Sequence, residues 1–224
     1  MIHVSPLTGE VAFWIGPVPI AVAVIWTWVL IAVLAIGSWA STRKLAIRPG
    51  RWQAALEGLV VGIDDQIRDA LGRDPAPFRP LIGTLFIFLV TANVSGQVPL
   101  VKAPTSQLET AAALAVVVFF SVHVYALRMV GWKTHLKSYL KPTVVMLPLN
   151  ILSEFTRTLS LMVRLFGNIM SHELVLAVVL ALAGLFLPLP IMALGLLIAL
   201  VQAYIFSVLA TIFIGAAIGA VKAH

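Results

Sequence analysis

Across residues 142–187 the only formally charged side chains are Glu154, Arg157, Arg164 and Glu173, and the rest of the stretch is largely apolar. As one straight helix it would be close to 70 Å long at about 1.5 Å per residue, more than twice the roughly 30 Å of bilayer hydrocarbon. The segment must therefore tilt steeply, lie partly across the membrane, or break. Pro148 and Gly167 permit a bend without forcing one. Residues 190–221 form a second long apolar element, interrupted by Gln202, Tyr204, Ser207 and Thr211, and Pro188-Leu189-Pro190 marks the turn between the two.

Composition supports this environment. A chain of 224 residues with 61% hydrophobic and 11% charged residues and a mean hydropathy of +1.04 reads as an all-α polytopic membrane protein. About five membrane-embedded segments are expected, including a C-terminal hairpin of two long tilted helices, with one interfacial amphipathic helix besides. The net charge of +6 resembles a nucleic-acid signal only until the basic residues are located: seven of the fifteen Lys and Arg lie within residues 43–79 and four more within 128–141. Topology accounts for both groups, so no nucleic-acid partner is expected. The absence of cysteine excludes disulfides, thiolate metal sites and cysteine nucleophiles.

In chain order, the first 17 residues contain no Lys or Arg and one acid, Glu10. They lack the basic start of a secretory signal and read as a short exposed N-terminus. Residues 18–39 form the first span, with Trp26, Trp28 and Trp39 as interfacial anchors. Residues 51–73 place Trp52, Leu56, Leu59, Ile63, Ile67 and Leu71 at helical spacing among charged positions, which predicts an amphipathic helix at the membrane interface or against a partner. Residues 78–95 form a second span, whose apolar run is broken from Asn93 to Gln97. Residues 110–130 form a third, containing Ser121 and His123. His123 stands alone in the sequence and reads as a bundle histidine rather than a ligand. The short loops carry seven, one, four and no Lys or Arg in order, so the positive-inside rule predicts an outside N-terminus and a cytoplasmic C-terminus.

The charged part of the long segment, Glu154 to Glu173, carries the functional expectation. A charged side chain at mid-bilayer costs about 2.5–3.5 kcal/mol on insertion scales, so an intramembrane ionisable group marks a functional site by default. At roughly 100° per residue, Arg157, Ser160, Asn168 and Ser171 fall within about 40° of Arg164 and form one polar stripe. Glu173 projects to the opposite side, and His172 and Glu154 fall between. Arg164 stays protonated and can attract or displace a carboxylate but cannot relay a proton; Glu173 and His172 can. Gln202, near the middle of the last element, suggests a hydrogen bond to the preceding helix.

The stretch LPLNILSEFTRTLSLMVRLFGNIMSHEL, with Arg-Leu-Phe-Gly-Asn at 164–168, resembles subunit a of the membrane sector of rotary F-type ATP synthases, in the bacterial and chloroplast branch. Ala103-Pro104-Thr105 and Val201-Gln202-Ala203-Tyr204-Ile205-Phe206 match the same family in the expected order. The resemblance implies a stator that curves around a ring of c subunits, joins peripheral-stalk b subunits and sits among lipids of a bacterial inner membrane, without a cofactor or metal of its own. It implies that Arg164 faces the ring carboxylates, that Gln202 and Asn168 support it, and that Glu173 lines one aqueous half-channel. His172, Ser171, Glu154 and Glu109 complete the residues expected along the path of a proton or sodium ion. Relatives often have Asp where Gln107 stands, and His172 replaces a small or acidic residue. A secondary transporter would need paired repeats, which the chain does not display, and a haem protein would need intramembrane histidine pairs.

Overall fold

The computed structural model describes residues 11–15, 18–43, 46–47, 50–97, 104–139, 146–184 and 188–219. Glu10, Lys102, Ala103 and Lys141 lie outside the described residues, as do 142–145, 185–187 and 220–221 of the expected hairpin. The elements are β1 (Val11–Ile15), β2 (Val18–Ala21), α1 (Val22–Thr42), α2 (Arg51–Leu71), α3 (Arg79–Ser95), α4 (Leu108–Val130), α5 (Trp132–Tyr139), α6 (Met146–Ala183) and α7 (Pro188–Ala217). Four of them, α1, α4, α6 and α7, are long and apolar enough to cross a membrane, and α3 is a shorter apolar helix. The chain is a multi-pass helical membrane protein.

The N-terminal end differs from the sequence expectation. β1 and β2 pair as a short antiparallel ribbon, and the first long helix starts at Val22 rather than at residue 18. Ribbon pairing satisfies backbone groups that a lone exposed segment would leave to water.

The two long helices run without interruption. Pro148 lies in the first turn of α6, where its missing N–H has no intrahelical bond to lose, and the helix continues through Gly167. At 38 and 30 residues, α6 and α7 are about 57 and 45 Å long at ~1.5 Å per residue. Both exceed the hydrocarbon thickness, an excess that a tilted path through the membrane accommodates. Gly184, with φ of 69°, follows the end of α6 in a left-handed conformation that glycine adopts without a Cβ penalty.

α7 is the hub, in contact with α2, α3, α4 and α6. Its buried face is built from small residues at near-helical spacing, Gly195, Ala199, Ala203, Ser207 and Ala210. α4 answers with Ala111, Ala115, Val118, Val122 and Ala126. Lipid tails are as apolar as the side chains, so the helices associate through close backbone approach and van der Waals contact, which small residues permit. Ser207 and Thr211 stay buried because each hydroxyl donates to the carbonyl four residues back, at 2.9 and 2.8 Å. Ile82, Leu85 and Leu89 of α3 and Leu161 and Leu165 of α6 fill the core between them.

α2 uses only part of its apolar stripe on this bundle. Ile63, Ile67 and Leu71 are buried, whereas Trp52 is 86% exposed and Leu56 and Leu59 are also open. Asp64 of α2 accepts from Nε of Arg79 at 2.6 Å, which ties the buried half to the start of α3. Asn93 lies inside α3 and does not break it: it is buried, donates to the Ala199 carbonyl at 3.2 Å and accepts from Thr105 at 2.9 Å. One amide thereby joins α3, α7 and the 3-10 turn Pro104–Ser106.

Candidate functional site

The polar stripe of α6 lies on the outside of the bundle. Arg157, Ser160, Arg164, Asn168 and Ser171 are all exposed, while Leu161 and Leu165 on the other side of the helix are buried. Arg164 stands near the middle of α6, about 27 Å from its start at ~1.5 Å per residue. Among the described residues no side chain pairs with its guanidinium. A cation in the middle of a long apolar helix, with no partner among the described residues, is costly to hold there unless a counter-charge approaches it.

The groups around it are held in place. Asn168, one turn beyond Arg164, donates from Nδ2 to Oε1 of Gln202 at 2.6 Å. Gln202 is 3% exposed and carries this bond across the α6–α7 contact, directly behind the stripe. Arg157, two turns before Arg164, sits with its guanidinium carbon 5.7 Å from the centre of the Phe213 ring of α7, within cation–π range.

Two cavities lie on either side of Arg164 along α6 and share no lining residue, besides a shallow groove of about 450 Å³ on the outer face lined by Ser153, Thr156, Arg157 and Ser160 among others. The smaller, of about 20 Å³, lies beyond Arg164 and is lined by Asn93, Gln97, Asn168, His172, Glu173 and Gln202 among others. Its walls come from α3, α6, α7 and the turn after α3. Gln97 Oε1, His172 Nε2 and Gln202 Nε2 are buried there with no hydrogen-bond partner among the described residues. The His172 imidazole fits because residue 195 is glycine: a Cβ at that position would stand 2.1 Å from Nε2 and 2.2 Å from Cε1.

The larger cavity, of about 280 Å³, lies on the other side of Arg164, where α6 begins and α7 ends. Glu154, Arg157, Asn150, Ser153 and Thr158 of α6 line it together with His135 of α5. His123 is a hydrogen-bonded bundle histidine, as the sequence suggests, and the fold adds neighbours that the sequence does not show: its Nε2 lies 3.3 Å from Glu154 Oε1, and its ring meets that of His135 edge-on at 5.7 Å. α4 and α6 bring His123 and Glu154 together from 31 positions apart, which no local pattern reports. Burial holds the His135 imidazole below its ordinary pKa, and nearby His123 pushes it in the same direction while Glu154 opposes them.

The remaining expected residues lie apart. Glu109 is exposed in the first turn of α4, where a carboxylate suits the positive end of the helix. Neither it nor Ser171 lines either cavity. Gln97, Gly195, His135 and Asn93 enter the site although the sequence did not single them out as functional. A lone glycine in an apolar helix and a glutamine after a span are weak signals until a second helix is placed against them.

Over residues 24–215 the sequence matches the family described as ATP synthase A chain. The chain belongs to the ATP synthase A chain family. Relatives in this family include an ATP synthase subunit a 2 from Bradyrhizobium sp. (strain BTAi1 / ATCC BAA-1182), 58% identical over 97% of both chains. An ATP synthase subunit a 1 from Hahella chejuensis is 47% identical over 91% of this chain and 86% of the relative. A third, ATP synthase subunit a 1 from Prosthecochloris aestuarii, is 46% identical over 94% and 96%. The matched region of this A-chain family member spans α6 and the cavity-lining residues of α3 and α4, and those of α7 up to Phe213. The family assignment from the Arg-Leu-Phe-Gly-Asn segment and its two companion motifs therefore agrees with near full-length similarity.

Proposed function

We propose that the chain is the stator subunit a of a rotary F-type ATP synthase, forming two ion half-channels against a ring of c subunits and coupling cation passage to ring rotation. The observation that carries this reading is the position of Arg164: exposed, near mid-helix, without a partner among the described residues, and flanked by two separate polar cavities. A ring carboxylate arriving at Arg164 meets a permanent cation in a low-dielectric setting, which favours its ionised form and release of its proton or sodium ion. The ion leaves on one side of Arg164 and a new one loads on the other. A continuous pore would dissipate about 2.3 kcal/mol per charge per 100 mV, so separation of the two cavities is a functional requirement.

Each cavity suits a distinct access route. The smaller offers a carboxylate, an imidazole and four amide side chains around a space sized for a single water, and its unpartnered polar atoms match what a bridging water satisfies. The larger is wider and more open in composition, with Glu154 and Arg157 on its α6 wall. Under the positive-inside orientation it opens to the cytoplasm and the smaller one to the outside, in a bacterial inner membrane. The ion-binding carboxylates belong to the ring, so ion identity is read from transport: acidification abolished by a protonophore marks a proton machine, and sodium uptake that persists with the protonophore marks a sodium machine.

The test is Arg164→Ala in the whole complex reconstituted in vesicles. ATP-driven ion uptake and ion-driven ATP synthesis are expected to be lost while the complex still assembles. Normal coupled synthesis by this variant removes Arg164 from its role and overturns the reading.

A further inference from the structure

On the α6 wall of the larger cavity, which also carries Arg157, Glu154 meets His123 of α4 in a geometry that calls for a shared proton. His123 Nδ1 lies 2.9 Å from the Phe119 carbonyl oxygen. A carbonyl only accepts, so this nitrogen is the donor and the tautomer is set. The other nitrogen, Nε2, faces Glu154 Oε1 at 3.3 Å. A neutral imidazole bearing its proton on Nδ1 presents a lone pair at Nε2, and an ionised carboxylate presents another at Oε1. These repel, so one proton must lie between them, on Nε2 as imidazolium with carboxylate or on Oε1 as carboxylic acid with imidazole.

The surroundings single out this pair. From α5, the His135 ring meets His123 edge-on at 5.7 Å. From α6, Arg157 lines the same cavity as Glu154, and from α7 the lining residues are Phe213, Ala216 and Ala217, none of which titrates. Among the described residues that line the cavity, His135 and Arg157 are the two further titratable or charged groups, and Arg157 is always cationic. Both partners are partly exposed, the His123 side chain at 30% and Glu154 at 20%.

We propose that His123 and Glu154 form a proton-storing site in the larger cavity, through which protons exchange between the aqueous phase on that side and the ring face. His135 stands at its outer edge as the adjoining acceptor. In each exchange one proton from cavity water joins the pair and one leaves it towards the water before Arg164, with no change of oxidation state. His123 is a positioning residue that acts through Glu154. The inference rests on reading the larger cavity as one of the two half-channels.

The experiment compares the reconstituted complex carrying wild-type chain, His123→Gln, Glu154→Gln and Arg164→Ala. In His123→Gln an amide N–H can still donate to Glu154, so the α4–α6 bridge is kept while the titrating nitrogen is lost. In Glu154→Gln a neutral His123 can accept from the new amide, so no shared proton is needed. The readouts are assembly with the ring, the pH profile of ATP-driven pumping, and the infrared carboxylic and imidazolium bands that follow a pH step. We expect both Gln variants to assemble, to lose the infrared signal of the pair, and to pump about tenfold more slowly at the alkaline end, below the 10²–10⁴ typical of a direct acid–base group. A wild-type pH profile and an unchanged infrared signal in His123→Gln overturn the inference. If Arg164→Ala has lost coupling in the same series, the stator reading stands without it; if Arg164→Ala still couples, the wider reading has failed instead.

Discussion

Replacing Gly195 by alanine adds one methyl group where none fits. The new Cβ would stand 2.1 Å from His172 Nε2, about 1.3 Å short of ordinary contact at 3.4 Å, and 3.0 Å from Gln97 Nε2. The helices cannot part easily at this point, because the 2.6 Å Asn168–Gln202 bond ties α6 to α7 two turns away on α7. The imidazole must therefore rotate out of the smaller cavity. An off-rotamer side chain costs about 0.5–1.5 kcal/mol, and overpacking a close contact typically costs about 1–3 kcal/mol. We expect a loss of that larger size in stability and a substantial fall in ATP-driven pumping, since His172 no longer lines the cavity beside Gln97 and Glu173. Adding His172→Ala removes the obstructing ring, so the double variant should be more stable than the sum of the two single changes by at least ~1 kcal/mol. Independent sites add to within about 0.3–0.5 kcal/mol. The assay is a double-mutant cycle on thermal unfolding of the detergent-solubilised complex, with vesicle pumping measured in parallel. Strict additivity, or wild-type stability in Gly195→Ala, would refute the argument that glycine is there to seat the histidine.

Two other expectations concern the remaining contacts. Gln202→Leu leaves the Asn168 amide without its acceptor; interhelical bonds of this kind average about 0.6 kcal/mol and reach about 1.7, so thermal stability should fall slightly while pumping falls several-fold because Asn168 loses its orientation beside Arg164. A pumping rate equal to wild type would show that the bond has no role at the ring face. His135 gives a signed pH dependence. Burial and nearby His123 lower its pKa in the folded chain below the ordinary value of 6.5, so below that pH the unfolded chain binds more protons, and stability falls as pH drops through 6.5 towards the lowered value. His135→Phe should flatten the acid limb of a plot of Tm against pH, and an acid limb of unchanged slope would exclude His135 as its source.

The membrane class, the long apolar elements and the polar stripe of α6 can be read from residues in order, because they depend only on local rules. A helix satisfies its own backbone in lipid, and a period of about 3.6 residues assigns Arg157, Arg164 and Asn168 to one side wherever the helix is placed. The Arg-Leu-Phe-Gly-Asn segment and its companion motifs are equally local and identify the family. Local rules stop where one element meets another. Trp52, Leu56 and Ile63 look equivalent along α2, yet only the last is buried, since the bundle covers one half of that helix. His123 looks solitary within α4 until α6 brings Glu154 to 3.3 Å. Gly195 looks like a mere gap in α7 until His172 fills the space a side chain would take. Even the exposure of Arg164 is a fact of assembly: α4 and α7 cover Leu161 and Leu165 and leave the stripe open. Helical phase is a property of one segment, whereas helix rotation, register and closeness come from many weak contacts among small residues on several segments at once. The pairs that form the two cavities therefore exist only in the folded bundle.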